Sequence, residues 1–418
     1  MIGQLVEHEA VAAAAALSSL SDATVGPALR RAARLLEERS EDVLAANQRD
    51  MEAATTTLDE GALDRLRLDD SRLGTLARQL DATAELEPID REIASRTLSN
   101  GLQVRELRIP VGTIGANFEA RPGVALDIAA QVLKSLNAIV LRTGGAALGT
   151  VETLVDHVLR PALDAEGIDG RAVGLVRSAD RSGAEALVSL PKWIPLVILR
   201  GSGASTAALA RHAAHHGVRT LAHAEGGGVL YVHGSARVDR VTAIVDASLD
   251  RLGVCNRLNL ALVDRAAAGL AADLVAACEQ RGVSVVGTPR AAAVVRVPEL
   301  DEPIGHEWAS DAARVSTVTL DVVDDLHEAV RIANTETSAL AAGIVAEDAD
   351  AVELFFSLYR GTSAFWHATT RFTDGFELNG TPETGINVEW APGPRGPVSY
   401  RDLWLRQYRV VGDGTQKR

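Results

Sequence analysis

From residue 112 onward the chain alternates short apolar runs with longer helical stretches, and this alternation limits the fold more than any other feature. Strand-like runs stand at 112–117, 138–142, 173–176, 196–199 and 219–222, and helical stretches fill 124–135, 147–165, 182–189 and 204–216. Short, nearly continuous apolar runs suit strands buried on both faces, and parallel neighbours need a crossover between them. The pattern predicts an α/β fold built on a doubly wound parallel sheet. A second series of runs, at 229–232, 258–263, 284–286, 315–320 and 343–345, predicts a second α/β domain.

Residues 1 to 85 read differently. Apolar and Ala positions recur there at three- and four-residue spacing, which marks helices, with Thr24 and Ser40 as cap-like starts. Ser99-Asn100-Gly101 then separates two alternating segments, a strong hairpin mark. A hairpin thrust out between helical and α/β segments is a candidate oligomerisation arm, and 405–411 alternates enough to be a terminal strand. At 418 residues the chain exceeds a single compact core.

A net charge of -14 speaks against nucleic-acid and anionic-membrane partners, which need a basic face, but allows a locally positive pocket. No apolar run reaches the roughly 20 residues that span a bilayer. The two cysteines, Cys255 and Cys278, make no secreted disulfide framework, and the acidic start MIGQLVEHEA lacks a signal-peptide pattern. A cytoplasmic location is expected.

Cys255 precedes an apolar strand in a turn-like segment, where a thiolate can be stabilised by nearby donors. Alone, a cysteine beside Gly253 and Val254 is more often a packing residue, and Cys278 keeps that reading. Gly201-Ser202-Gly203 follows a strand and opens a helix, so its backbone N–H groups can face a phosphate. Gly144-Gly145 makes a second such turn. His212, His215 and His216 share a helical face, but no acidic or thiol ligand completes a set, so no metal is expected.

Four blocks occur in one order: Glu119-Ala-Arg-Pro122, Leu133 to Gly145, Val254-Cys-Asn256 and Thr370 to Glu377. Together they resemble the γ-glutamyl phosphate reductase family, the proline-pathway branch of the aldehyde dehydrogenase superfamily. The resemblance extends from Leu44-Ala-Ala-Asn47 and Leu63-Asp-Arg-Leu66 to Val411-Gly-Asp-Gly414. It implies a cofactor-binding domain (1–90 and 110–228), a catalytic domain (229–382), and an arm with a C-terminal strand (91–109 and 383–418) that joins a homodimer or homotetramer.

The resemblance also implies roles. Cys255 is the nucleophile that forms a thioester with an acyl phosphate, and NADPH reduces that thioester to the aldehyde. Asn117 and Asn256 are candidate oxyanion donors. Arg142, Gly201, Ser202 and Glu307 fall where the superfamily holds its nicotinamide cofactor. Glu119, Arg121, Arg371 and Thr373 fall at the substrate, the two arginines as bidentate partners for phosphate or carboxylate. His223 stands where hydrolytic relatives keep a general-base glutamate, which suits a thioester met by phosphate rather than water. Several family positions are altered, above all 378–383 and 387–390, which bring in Pro382 and Trp390. Those changes raise two alternatives: a paralogue of a specialised pathway that handles a free amino-acid head poorly, and a non-catalytic binding relative, against which Cys255 speaks.

Overall fold

The computed structural model describes residues 2–201, 203–223, 226–252, 254–300, 316–390 and 393–416. Helices α1 (Ile2–Ala16), α2 (Asp22–Glu38), α3 (Ser40–Ala54), α4 (Glu60–Leu66) and α5 (Asp70–Glu85) open the chain. On α1 the buried residues Val6, Ala10, Ala13 and Ala16 repeat at three and four, so one stripe turns inward. The cap-like starts shift slightly. Thr24 lies inside the first turn of α2, its hydroxyl bonded to Ser21 Oγ at 2.8 Å, and Ser40 is the first residue of α3. True side-chain caps occur at Asp59 and Asp69, which accept from the N–H groups of Ala62 and Arg72 and start α4 and α5.

The arm is a hairpin of β1 (Glu92–Thr97) and β2 (Gln103–Pro110). Gly101 has φ +87°, and Leu98 N–H donates to Leu102 O at 2.8 Å, so the glycine supplies the left-handed residue that a three-residue hairpin loop requires. Five parallel strands follow: β3 (Thr113–Phe118), β4 (Ala138–Thr143), β5 (Val173–Leu175), β6 (Leu196–Arg200) and β7 (Arg219–His223), in the order β5-β4-β3-β6-β7. Every residue of β3 and β4 is buried, as a sheet covered on both faces demands. Helix α6 (Gly123–Lys134) crosses from β3 to β4, and Lys134 is no surface cation: its Nζ donates to Ala84 O at 3.0 Å, tying α6 to the end of α5.

The second sheet holds β8 (Gly228–Val232), β9 (Leu258–Asp264), β10 (Ser284–Gly287), β11 (Thr317–Val323), β12 (Ala341–Val345) and β13 (Ser363–Trp366), all parallel, in the order β10-β11-β9-β8-β12-β13. Strand β13 was not foreseen: it is an edge strand whose Ala364 and Trp366 are exposed, so it lacks a buried apolar run. A short pair, β14 (Gly385–Asn387) and β15 (Gly396–Val398), precedes β16 (Trp404–Val411). Strand β16 pairs antiparallel with β2 from Trp404↔Pro110 to Val411↔Gln103, so the chain's tail completes the arm begun some 300 residues earlier. The tail is pinned where Tyr400 N–H donates to Gln131 Oε1 (2.8 Å) and Asn137 Nδ2 to Leu403 O (2.9 Å). No helix among the described residues is long and apolar enough to cross a membrane.

Candidate active site

Cys255 sits in the turn between a helix ending at Ser248 and β9, and its backbone is held from two sides. On one side lies the run Gly226-Gly227-Gly228 at the entry to β8. Gly227 N–H donates to Cys255 O at 2.5 Å, and Gly228 N–H to Arg257 O at 2.6 Å. A Cβ on Gly226 would lie 2.6 Å from both Cys255 Cβ and Cys255 O, so only glycine fits that contact. Ser338 Oγ completes this side by donating to Gly226 O at 3.2 Å.

On the other side is the block 370–377. Thr370 Oγ1 donates to Asn256 O (2.8 Å), and Asn256 Nδ2 donates to Arg371 O (2.9 Å) and Thr373 O (3.0 Å). Arg371 returns the bond through Nη1 to Asn256 Oδ1 and pairs through Nε with Asp250 at 2.7 Å. The two blocks that flank Cys255, far apart in sequence, therefore form one hydrogen-bonded clamp. Beneath it, Cys255 packs on the small apolar group of Leu340, Ala341 and Ile386.

The thiol opens onto a cleft of about 1090 Å³. Its walls are built from the loop around α4, the start of α6, the end of β6, the cysteine turn and the 371–386 region, and they carry Arg65, Arg121, Arg200 and Arg251. The lining as a whole carries seven arginines against six acidic residues. Among the described residues none of Arg65, Arg121, Arg200 and Arg251 forms an ion pair, whereas Arg72 is spent on Asp64 and Arg371 on Asp250. The Arg121 guanidinium is open to solvent in area but walled by protein. Desolvation, then the charges of Arg200 and Arg65, bring its pKa down to about 10. Guanidiniums so placed can meet an anion bidentately.

Cys255 is half-buried, and desolvation pushes its thiol up to about 11; Arg200 and Arg121 pull down against this and Glu383 pushes up. The cysteine's own backbone N–H also favours the thiolate. Of the six acidic residues in the lining, Asp64 pairs with Arg72, Asp59 and Asp374 cap helices, and burial raises two of the others. Asp127, one turn into α6, is raised to about 6 by burial, against Arg200 and with Glu383. Glu383 is raised by burial too, and its Oε2 accepts from Gly375 N–H at 2.8 Å.

A second locus lies where β3 and β6 end. These neighbours carry connections that run to opposite sides of the sheet, the position at which doubly wound sheets bind ligands beyond the strand carboxyl ends. Gly201 follows β6 directly, and a Cβ there would meet Glu119 Oε1 at 2.8 Å. The 14-residue helix Gly203–His216 starts at the same point. Arg142, on β4, is only 7% exposed; it donates through Nη1 to Asn117 Oδ1 (3.1 Å) and through Nη2 to Asp180 O (3.0 Å) and Ala179 O (3.4 Å).

The residues expected at the catalytic and substrate site divide between the cleft and the sheet end, where the cofactor candidates Arg142 and Gly201 stand. Cys255, Asn256, Arg121 and Arg371 line the cleft, while Asn117, Glu119, Arg142 and Gly201 gather at the sheet end, with Arg200 linking the two. Thr373 is fully buried behind the clamp. Ser202, Glu307 and the side chain of His223 lie outside the described residues. The altered segments 378–383 and 387–390 line the cleft only through Glu383; Leu378 is exposed, and Trp390, 58% exposed, stacks under Arg395 at 4.3 Å. His212 Nε2 bonds with Ser189 Oγ (3.0 Å) and His216 Nδ1 with His212 O (2.9 Å), and no group of three metal-ligand side chains converges among the described residues. Sequence reasoning missed Arg200, Arg65, Asp127, Glu383 and Gly226. The signals were present: Arg65 and Asp127 fall in or beside quoted blocks, and three consecutive glycines before a strand mark a close backbone approach.

No family model matches the chain. It is 33% identical to a γ-glutamyl phosphate reductase of Paramagnetospirillum magneticum over 411 residues, covering 96% of this chain and 94% of the relative. It is 34% identical to one from Gluconobacter oxydans, covering 98% and 95%. The crystal structure of a γ-glutamyl phosphate reductase from Thermotoga maritima superposes with a TM-score of 0.91 at 26% identity, covering 99% of this chain and all of that one. An acetylating aldehyde dehydrogenase from Geobacillus thermoglucosidasius shares the fold, with a TM-score of 0.69 at 15% identity over 100% of this chain and 98% of the other. With the cysteine turn, its clamp and the two-sheet architecture already in place, these likenesses show that the chain belongs to the γ-glutamyl phosphate reductase family and is an oxidoreductase with the aldehyde dehydrogenase fold.

Proposed function

We propose that the chain reduces an acyl phosphate to its aldehyde through a thioester on Cys255, with NADPH as reductant. The observation that carries this reading is the placement of Cys255 in one cleft with Arg121 and Arg200, neither of which forms an ion pair among the described residues. A phosphate leaving group needs cationic partners, and Arg121 and Arg200 also lower the cost of the thiolate. The Cys255 sulfur attacks the acyl carbon, the carbon–oxygen bond to phosphate breaks, and the thiol proton departs with the phosphate. The Cys255 backbone N–H is the donor nearest in sequence for the developing oxyanion. After reduction the thiohemiacetal collapses, the carbon–sulfur bond breaks, and Cys255 takes back a proton as the aldehyde leaves.

The sheet end fits a dinucleotide: Gly201 lets the backbone approach closely, and a helix N-terminus follows for the pyrophosphate. The nicotinamide, when bound, supplies hydride to the thioester carbon. Asn256 is better read as a positioning residue than as an oxyanion donor, because its Nδ2 already serves two carbonyls. Arg371, paired with Asp250 and Asn256, likewise holds the cysteine turn, which leaves Arg121 and Arg200 to meet the substrate. The exposed Leu405, Tyr408, Val410 and Val411 of β16 support assembly of the arm against a second copy.

The reading is tested in reverse, with an aldehyde, inorganic phosphate and NADP+. NADPH formation should depend on phosphate and saturate with it. Equal rates without phosphate would mean that water takes the acyl group, and the acyl-phosphate reading would fall.

Arg142 carries a separate expectation. Its two terminal nitrogens are committed to Asn117 and to the carbonyls of Ala179 and Asp180, so we infer that it holds the 178–182 loop instead of reading a 2′-phosphate itself. Arg142→Ala should therefore weaken NADPH and NADH together, by roughly 10-fold or more, and Arg142→Lys should not restore either, since an ammonium cannot make the fork. Fluorescence titration of both cofactors decides; a loss confined to NADPH would assign Arg142 to the phosphate after all.

A further inference from the structure

The clamp on the Cys255 turn hangs from a strained corner. Strand β13 ends at Trp366, and His367, next in the chain, has φ +52°, a left-handed backbone that a residue other than glycine keeps only where its surroundings compel it. Its N–H still donates to Ile344 O at 3.1 Å, so the ladder with β12 runs one residue into the corner. The chain then doubles back over the sheet. A Cβ on Gly343 would lie 3.3 Å from Ala368 O, Thr369 Oγ1 shares a hydrogen bond with Ser248 Oγ (2.8 Å), and Thr370 Oγ1 reaches Asn256 O. The bond that holds the cysteine turn thus follows the corner almost at once.

Glycine or asparagine would take the same backbone readily; what the imidazole adds is a charge that changes near neutral pH. The His367 ring lies 5.2 Å from the Trp366 ring, its Nε2 is buried without a hydrogen-bond partner among the described residues, and Glu347 Oε1 stands 3.6 Å away. That oxygen is already held by Arg240 Nε at 3.0 Å. Glu347, beyond the end of β12, and Arg240, on the helix Val238–Ser248, are the charged groups that face the ring. In the neighbouring loops His233 is bonded to Ser235 Oγ (2.9 Å), and Asp348 caps the helix Ala349–Leu358.

We propose that His367 is a positioning residue that couples pH to the seating of Cys255: the neutral ring closes the corner and keeps the clamp in place, and the protonated ring forces the corner open. Burial, then Arg240, disfavour the charged form, against a smaller pull from Glu347 and the Ala346 carbonyl, so the ring titrates below the ordinary histidine value. An opened corner therefore binds a proton more readily than the closed one. The closed form keeps its full stability above the ordinary value of about 6.5 and loses it as pH falls through the lowered one. The inference rests on the reading of Cys255 as nucleophile only for its effect on turnover.

The test compares the unmodified protein with His367→Asn, which tolerates the left-handed backbone and carries no titrating ring. Hydrogen exchange of peptides covering 254–259 and 366–374 is followed at about pH 7.5 and about pH 5.5, on either side of the ordinary histidine value. The two proteins are compared at the same pH, so the intrinsic exchange rate cancels. At the higher pH they should exchange alike. At the lower, the unmodified protein should exchange roughly 5- to 10-fold faster in both peptides, the range given by losing one hydrogen bond. Its kcat/KM for phosphate-dependent NADPH formation should fall by a similar factor relative to the variant. Arg240→Ala removes a cation that opposes protonation and should move the transition to higher pH, whereas Glu347→Gln should move it to lower pH. An acid response that survives in His367→Asn, or clamp peptides that exchange alike in the two proteins at both pH values, overturns the proposal. So does a difference of the same size at every pH, since the ring then only packs. Acid-dependent exchange without phosphate-dependent NADPH formation would remove the acyl-phosphate reading and leave the corner standing.

Discussion

Cys255→Ser should lower phosphate-dependent NADPH formation by at least about 10³-fold while leaving cofactor binding intact, because a serine hydroxyl ionises far less readily than a thiol and cannot form the thioester. The companion measurement is alkylation of the unmodified protein. Desolvation raises the Cys255 thiol to about 11, so at pH 7 to 8 nearly all of it is protonated. Its reaction with iodoacetamide should be slow at neutral pH and climb about tenfold per pH unit toward that value, since only the thiolate reacts. Arg121 favours the thiolate, so Arg121→Ala should move the rise to still higher pH. Cys278, fully buried in a helix and pushed up to about 12, should stay unlabelled until the protein unfolds. Equal labelling of the two cysteines, or a serine variant with full activity, would remove Cys255 from the mechanism.

Gly226→Ala should be the most damaging change of a residue that touches no substrate. The added methyl would overlap Cys255 Cβ, Cys255 O and Cys255 Cα within 2.6 to 2.8 Å, and none of those atoms belongs to a flexible side chain. Relief must come from moving the cysteine turn, which is tied through Gly227, Gly228 and Thr370 to both neighbouring segments. Overpacking of this kind costs about 1–3 kcal/mol of stability. A displacement of about 1 Å at the nucleophile costs on the order of 10²-fold in rate. The variant should melt lower and lose about two orders of magnitude in kcat/KM. Gly269→Ala is the control: no atom lies within 4 Å of its Cβ position, and both quantities should be unchanged. A Gly226→Ala enzyme with normal turnover would show that the contact is not the constraint on the cysteine turn.

Much of the fold could be read along the chain. A buried parallel strand leaves a continuous apolar run such as Ala138–Leu141, and a hairpin leaves Asn100-Gly101, because each is dictated by local burial or local backbone geometry. The same holds for Cys255 and the block 370–377, whose residue types and order mark them without any knowledge of contacts. Strand β13 was illegible for the converse reason: as an edge strand with exposed Ala364 and Trp366 it obeys no buried pattern and exists through its pairing with β12.

Tertiary structure decided what each marked residue does. Arg142 and Arg371 looked like ligand-binding guanidiniums, but folding places carbonyls and acidic groups at their donors, so both are spent inside the protein. Arg200 carried no special mark and Arg65 only its place in a quoted block, yet folding leaves both in the cleft without an ion pair among the described residues. Asp127 and Glu383 stand 256 residues apart, one a turn into α6 and the other after a short helix. The sequence by itself marked most strands of the two sheets and the hairpin, since these follow from periodicity and turn chemistry, and the order of its blocks pointed to Cys255 through a family resemblance. Whether a charged side chain meets a partner or a ligand depends on which distant segment the fold sets beside it, and no local pattern encodes that.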